Sequence, residues 1–289
     1  MANAIELAKA MVPVLDQVYE EASLTSILDG SPEEVKAGAN AGELYIPKLS
    51  MTGQKNYSRA NGYGSGDVTL EYQTVVANYD RGSRFSVDVA DDIETAGVAF
   101  GRLAGEYIRT KVVPEVDAFT FATLAQNAGA GNVTNGNLQG ASATGKTALA
   151  AIRRAVAGMD DVGVPQEDRI LYINPTVLGL IEDLDTTASR AALASFAQII
   201  KVPSGRFFDK VTLKDDADGG FEKATDGHAL DFLVVHRPAA LKYPKHVTPK
   251  IIPPEMNPNG DAWIFGYRHL EVVDVHENKV DGVWGSYTE

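Results

Sequence analysis

The spacing of hydrophobic positions changes several times along the chain, and each change marks a predicted element. Ile5, Ala8, Val12, Leu15 and Val18 fall near helical spacing and predict an amphipathic helix over 3–22. Pro13 should kink that helix or end its first half. Leu44, Ile46 and Leu49 open an extended segment, residues 53–66 are rich in Gly, Asn and Ser, and Val68, Leu70 and Tyr72 then alternate with polar residues. This order predicts a long hairpin with a flexible tip, its second strand half-buried. A long hairpin is marginal alone, so it needs a surface to lie on. Phe85, Val87 and Val89 predict a further strand, entered through a turn at Asp80, Arg81 and Gly82.

The strongest helical pattern covers 91–125. Asp91 and Glu94 resemble a capping box, and Ile93, Phe100, Leu103, Tyr107 and Ile108 trace one face. Pro114 should bend this helix or split it. Gly97, Gly101 and Gly105 form one stripe. Each glycine costs about 1 kcal/mol of helix propensity, so close backbone packing is expected there. A compact α/β region follows over 145–250. It has a helix at 145–160 (Leu149, Ile152, Val156, Met159), a buried strand at 170–173, a helix capped by Asn174 with Pro175 at its first position, and a second buried strand at 230–235. Residues 251–289 return to strands through Trp263, Phe265 and Tyr267, then Val272, Val273 and Val275, with a turn at Asp281 and Gly282. No internal repeat is found, and the fold class is α+β.

Composition narrows the function classes. The 289 residues are 44% hydrophobic and 22% charged, the balance of a globular protein with a sizeable core. No apolar run approaches the roughly 20 residues of a membrane span. Residues 1–21 carry acids and no basic stretch leading into an apolar run, so no secretory signal is expected. The first 42 residues read as an acidic arm. With no cysteine, disulfides, thiolate nucleophiles and Cys-ligated metals are excluded. The formal net charge of -13 disfavours a grip on a phosphate backbone. It is compatible with enclosing DNA without adhering to it.

One motif bears on catalysis. Residues 140–147 match G-x-x-x-x-G-K-[ST] through Gly140, Gly145, Lys146 and Thr147. In a P-loop, backbone N–H groups cradle phosphates, the Lys reaches the outer ones and the Thr holds magnesium. That chemistry needs a buried strand immediately before the loop, and residues 132–139 (NVTNGNLQ) do not form one. Strand 170–173 ends in Asn174 and strand 230–235 in His236, so neither presents an Asp for the metal. The match is therefore read as a decoy, with Thr144 or Thr147 capping a helix. His228, His236, His246, His269 and His276 show no i, i+4 helical pair, and no G-x-S-x-G elbow occurs. The 39 Asp and Glu residues make any acid/base pair unspecific. No catalytic residue, cofactor or metal is expected.

Several phrases resemble the HK97-like major capsid proteins of tailed bacteriophages. Residues 80–88 (DRGSRFSVD), with Asp92, Glu94 and Thr95, look like the strand entering the spine helix. Residues 109–119 look like the middle of that helix and 202–207 (VPSGRF) like a loop of the axial domain. Residues 232–239 and 244–250 look like the axial domain's final strand and exit. Asp261 to Trp263, Tyr267 with Arg268, and 277–282 look like closing strands. The resemblance spans nearly the whole chain. It implies an N-terminal arm (1–42), an extended loop (43–80) lying over a neighbouring subunit, a peripheral domain with the spine helix (81–135), an α/β axial domain (136–250), and closing strands of the peripheral domain (251–289). The implied function is structural. Pentamers and hexamers of the chain itself would build an icosahedral shell around double-stranded DNA, in the virion, after assembly in the host bacterial cytoplasm. The implied partners are a portal and a separate scaffold protein, since no long extension precedes the arm. Lys48 and Lys55 lie in the loop from which some relatives crosslink, but crosslinking is not expected. Two other readings fit parts of the pattern: an encapsulin-like nanocompartment shell, and a P-loop enzyme using 140–147.

Overall fold

The computed structural model describes residues 23–30, 36–37, 43–59, 62–90, 98–216 and 218–289. The expected helix over 3–22, the box at Asp91 and Glu94, and Gly97 lie outside the described residues.

The chain enters through a 3-10 turn at Ser26–Leu28. Strands β1 (Lys36–Ala37), β2 (Glu43–Met51) and β3 (Val68–Val76) then form an antiparallel sheet in that order. β2 and β3 are the predicted hairpin, in unbroken register from Glu43 opposite Val76 to Met51 opposite Val68. β4 (Tyr79–Asp88) follows directly. The turn expected at Asp80, Arg81 and Gly82 does not occur: all three lie inside β4, with Gly82 opposite Arg268. A Cβ at residue 82 would stand 2.8 Å from the carbonyl oxygen of Tyr267, so this glycine serves a close backbone approach rather than a turn.

Helix α1 (Val98–Tyr107) leads through a five-residue π-helical turn, Ile108–Val112, into α2 (Val113–Gln126). Pro114 does not split the helix, which is continuous over 98–126, but a π-helical turn precedes it. Pro114 has no N–H to give the preceding turn, and a π-helical turn is one way a helix absorbs that loss. The close packing expected along the glycine stripe is not met within the chain at Gly105, where an added Cβ would touch nothing within 4 Å.

The α/β region contains β5 (Val133–Asn135), α3 (Gly145–Asp161), β6 (Arg169–Ile173), α4 (Pro175–Glu182), α5 (Thr187–Leu193), β7 (Gln198–Lys201), the small hairpin β8 (Val211–Leu213) and β9 (Phe221–Lys223), and β10 (Ala229–His236). Three strands close the chain: β11 (Ala240–Ile252), β12 (Ala262–Val275) and β13 (Val283–Thr288). The five-stranded sheet runs β5-β13-β10-β6-β7, and a three-stranded sheet runs β11-β12-β4.

Both faces of β6 and β10 are covered, which explains their continuous apolar runs. Ile170, Tyr172, Leu233 and Val235 pack with Phe121 and Leu124 of α2. Leu171, Ile173, Phe232 and Val234 pack with Ile152 and Met159 of α3 and Val177 and Ile181 of α4. The opposite end of the spine, Ile108, Val113 and Val116, packs on Phe265 and Tyr267 of the three-stranded sheet.

Two expected boundaries are corrected by this pairing. Residues 251–289 do not all close the spine-helix sheet, because β13 pairs with β10 in the five-stranded sheet. Residues 240–250 do not belong to that sheet, because β11 pairs along its length with β12. Sequence proximity does not decide sheet membership: the six-residue 3-10 segment Glu277–Gly282 carries the chain from one sheet to the other.

Candidate functional site

The hairpin is the first feature that the chain alone does not complete. Residues alternate faces along a strand. One face carries Leu44, Ile46 and Val75, which are buried against Leu241 and Val272 and anchor the root. Further out on that face, Lys48 pairs with Glu277 at 2.7 Å. The other face carries Pro47 opposite Tyr72, Leu49 opposite Leu70, and Met51 opposite Val68. Leu49, Met51, Val68, Leu70, Tyr72 and Val76 are all exposed, Val68 at 69% and Leu49 at 53%. The strand expected to be half-buried therefore turns its apolar side away from the rest of its own chain.

The second feature holds the segment 23–30 across the molecule. Asp117 of α2, wholly buried, accepts from Ser23 Oγ (3.0 Å), Leu24 N (3.2 Å), Thr25 N (3.2 Å) and Thr25 Oγ1 (2.7 Å). Arg206 Nη1 adds an ion pair at 3.1 Å. Burial pushes the Asp117 carboxyl above the usual carboxylate range, while Thr25 and Arg206 pull it back. At the other end, Lys242 Nζ meets Asp29 Oδ1 at 2.5 Å and Glu271 Oε1 at 3.1 Å, and His269 Nε2 stands 3.2 Å from Glu271 Oε2. Burial works against the Lys242 charge, but Glu271 and Asp29 more than offset it and hold the ammonium above its ordinary pKa. Burial works against the Glu271 charge too, yet Lys242 and His269 hold it below the ordinary value. Lys242 and Glu271 are thus a charged pair. Asp29 is pushed the other way by burial, despite Lys242.

The third feature is the P-loop-like run. A three-residue strand, β5, does precede it, but at the sheet edge and parallel to β13. Four residues, Gly136 to Gln139, separate Asn135 from Gly140, so the strand does not open directly into the loop. Several backbone donors in and just before this run are engaged. Leu138 N donates to Asp231, Gln139 N to Thr288 Oγ1, Ala143 N to the Gly140 carbonyl and Thr144 N to Thr147 Oγ1. Asp231, fully buried, also accepts from Ser286 Oγ and Thr288 Oγ1, and its carboxylate is the wrong charge to sit beside a phosphate. Gly145 meets a packing need: a Cβ there would stand 2.1 Å from the carbonyl oxygen of Leu180. Thr144 and Thr147 form a capping box on α3, and Lys146 is exposed.

The histidines are dispersed. His228 Nδ1 pairs with Asp209 at 2.9 Å and its ring stacks on Tyr287, and His246 contacts Thr248. Among the described residues no group of three or more His, Cys, Asp or Glu side chains is placed to hold a metal ion, and no helix is long and apolar enough to cross a membrane.

No protein-family model and no curated protein matches this sequence. Solved structures do match. A chain from Mycobacterium phage Che8 aligns over 90% of this chain and 89% of its own, with TM-score 0.60 and 16% identity. The capsid of cyanophage P-SCSP1u aligns over 92% and 88%, with TM-score 0.59 and 14% identity. The fold is the HK97-like capsid fold. A virus-like particle from Pyrococcus furiosus shares it over 96% of this chain and 98% of its own, with TM-score 0.56 and 11% identity. Within the capsid fold, sequence reasoning found the hairpin but missed Asp117, Asp231, Lys242 and Glu271. A faint signal exists for two of them. Lys242 follows the apolar pair Ala240 and Leu241, and Glu271 sits between Leu270 and Val272; charges in such apolar strand runs mark buried partners.

Proposed function

We propose that this chain is a structural major capsid protein that assembles with copies of itself into the icosahedral shell of a tailed bacteriophage. The observation that carries this reading is the two-faced hairpin, rooted in its own chain and apolar on the side its own chain leaves exposed. The extent of the likeness to phage capsid chains supports it. In this reading the arm and the hairpin reach neighbouring subunits. The three-stranded sheet with the spine helix is the peripheral domain, and the five-stranded sheet with α3, α4 and α5 surrounds the centres of pentamers and hexamers. The subunit is not an enzyme, and 140–147 is a helix-capping turn. A separate scaffold protein and a portal act in assembly in the host cytoplasm, and the shell encloses double-stranded DNA without reading its sequence.

The archaeal virus-like particle favours a second reading, a shell that is not a phage head. Cargo separates the two: an encapsulin-like shell packages a protein, a phage shell takes DNA through a portal. Negative-stain electron microscopy of the purified protein, with its size-exclusion profile, tests the reading. Uniform shells or rings of five and six support it. A monomer that binds Mg-ATP, and loses that binding on Lys146→Ala, overturns it.

A further inference from the structure

We propose that Asn259 is a site of spontaneous covalent modification, where backbone attack removes the side-chain amide, and that the fold shields the comparable Asn135 from the same reaction. The inference stands apart from the shell-subunit reading. An Asn followed by Gly cyclises more readily than other Asn residues, because glycine has no Cβ to hinder its own nitrogen as it nears the Asn side chain. The sequence carries three such pairs, at 61–62, 135–136 and 259–260. Asn61 lies outside the described residues, so the contrast is between the other two.

Asn259 and Gly260 lie in the connection between β11 and β12, after the 3-10 turn Pro254–Met256. Pro258, Asn259, Gly260 and Asp261 are all exposed. Gly260 has a φ of 152°, and a Cβ added there would meet nothing within 4 Å. Among the described residues no backbone carbonyl accepts from its N–H. The turn is pinned on either side of the reacting atoms instead. Asn257 Oδ1 accepts from Asn259 N at 3.0 Å, and Asn257 Nδ2 donates to the Ala262 carbonyl at 3.0 Å. The Asp261 carbonyl accepts from Val89 N at 3.1 Å. None of these bonds uses the Asn259 side chain or the Gly260 nitrogen.

Asn135 is placed differently. It ends β5, opposite Tyr287 of β13. Gly136 N donates to the Tyr287 carbonyl at 3.0 Å, so the nitrogen that would attack is already bonded. Reaction there requires β5 to lift from the sheet edge first. Asn257 is shielded by the sequence itself, since Pro258 has no N–H to lose.

The step balances with water alone. The Gly260 nitrogen gives its proton to a solvent base and forms a bond to Asn259 Cγ. The Cγ–Nδ2 bond breaks, and the departing nitrogen takes a proton from water and leaves as ammonia. Water then opens the succinimide ring at either carbonyl, giving aspartate or isoaspartate. Either product adds a negative charge to a chain whose formal net charge is already -13. Isoaspartate also routes the backbone through Cβ, which lengthens it between the two groups that Asn257 pins, Asn259 N and the Ala262 carbonyl.

Peptide mapping of the folded, full-length protein, held in mildly alkaline buffer and sampled over days, reads the reaction. The tryptic peptide 251–268 should gain about 1 Da as NH2 is replaced by OH, and should separate into aspartate and isoaspartate forms. Fragmentation should place the change at Asn259 and not at Asn257, and the rate should rise with pH. At Asn135 the same gain should be at least about tenfold slower until the protein is unfolded. Asn259→Gln, whose longer side chain closes a ring far less readily, should abolish the change in 251–268. A wild-type 251–268 peptide that keeps its mass, equal rates at Asn259 and Asn135 in the folded chain, or an Asn259→Gln peptide that gains mass as the wild type does overturns the proposal.

Discussion

Lys242 has 1% of its side chain exposed and Glu271 none, and such a pair is defined by what happens when one partner goes. Lys242→Met leaves Glu271 buried beside His269 without its main cation. The expected loss is about 3–5 kcal/mol, read by chemical denaturation at neutral pH. Adding Glu271→Leu should restore most of it. The pH dependence follows from the direction of the Glu271 shift. Its folded pKa lies below the ordinary value, so the stability it contributes is present above the unfolded pKa and is lost as pH falls through the folded one. In Lys242→Met, burial is opposed only by His269, and the deficit against wild type should shrink on acidification. Asp117 is a second case. Its Oδ2 receives Leu24 N and Arg206, and its Oδ1 receives Ser23 and Thr25. Asp117→Asn turns one acceptor into a donor facing donors. About 2–3 kcal/mol should be lost, with faster amide hydrogen exchange at Leu24 and Thr25.

At the scale of elements, the proposed shell reading makes the hairpin separate folding from assembly. Its stability comes from the root, where Leu44, Ile46 and Val75 meet Leu241 and Val272. Its outer apolar face adds nothing to the isolated chain. Val68→Ser with Leu70→Ser should therefore change unfolding free energy by less than about 1 kcal/mol while abolishing shells under the electron microscope. A monomer destabilised well beyond that would mean the face packs within its own chain. The spine behaves differently. Along it, Ile108, Val113 and Val116 pack on the three-stranded sheet, and Phe121 and Leu124, further along α2, on the five-stranded one. That the helix is irregular near Pro114 was legible from one residue. The strand through Asp80, Arg81 and Gly82 was not, because Gly and Asp signal a turn locally while the partner strand β12 imposes extension.

For the whole molecule, assembly requires contacts that are geometrically repeated from copy to copy. Deleting residues 53–66 should leave a folded, soluble subunit that forms no shells, as read by circular dichroism and electron microscopy. Normal shells from the deletion would remove the hairpin from the assembly mechanism. The segment 23–30 acts at the same scale. It is tied to α2 through Asp117 and to β11 through Lys242, so it joins the spine to the long-stranded sheet.

Local chemistry in the sequence determined the elements. Period-two runs gave the hairpin and β12, a cap at Thr144 or Thr147 gave the start of α3, and Asn174 with Pro175 gave α4. These need only residues a few positions apart, so one sequence carries them. The order of such elements also carried the resemblance to the capsid fold. Tertiary structure alone decided which sheet each closing strand joins, because β11 and β13 have similar apolar content and differ only in distant partners. It alone decided that Asp117, Lys242 and Glu271 are buried, since a charge enters a core only where another element supplies its counterpart. It also decided which face of the hairpin stays open. Alternation says that a strand has an apolar side, but only the packing of the root on Leu241 and Val272 turns that side away from its own chain.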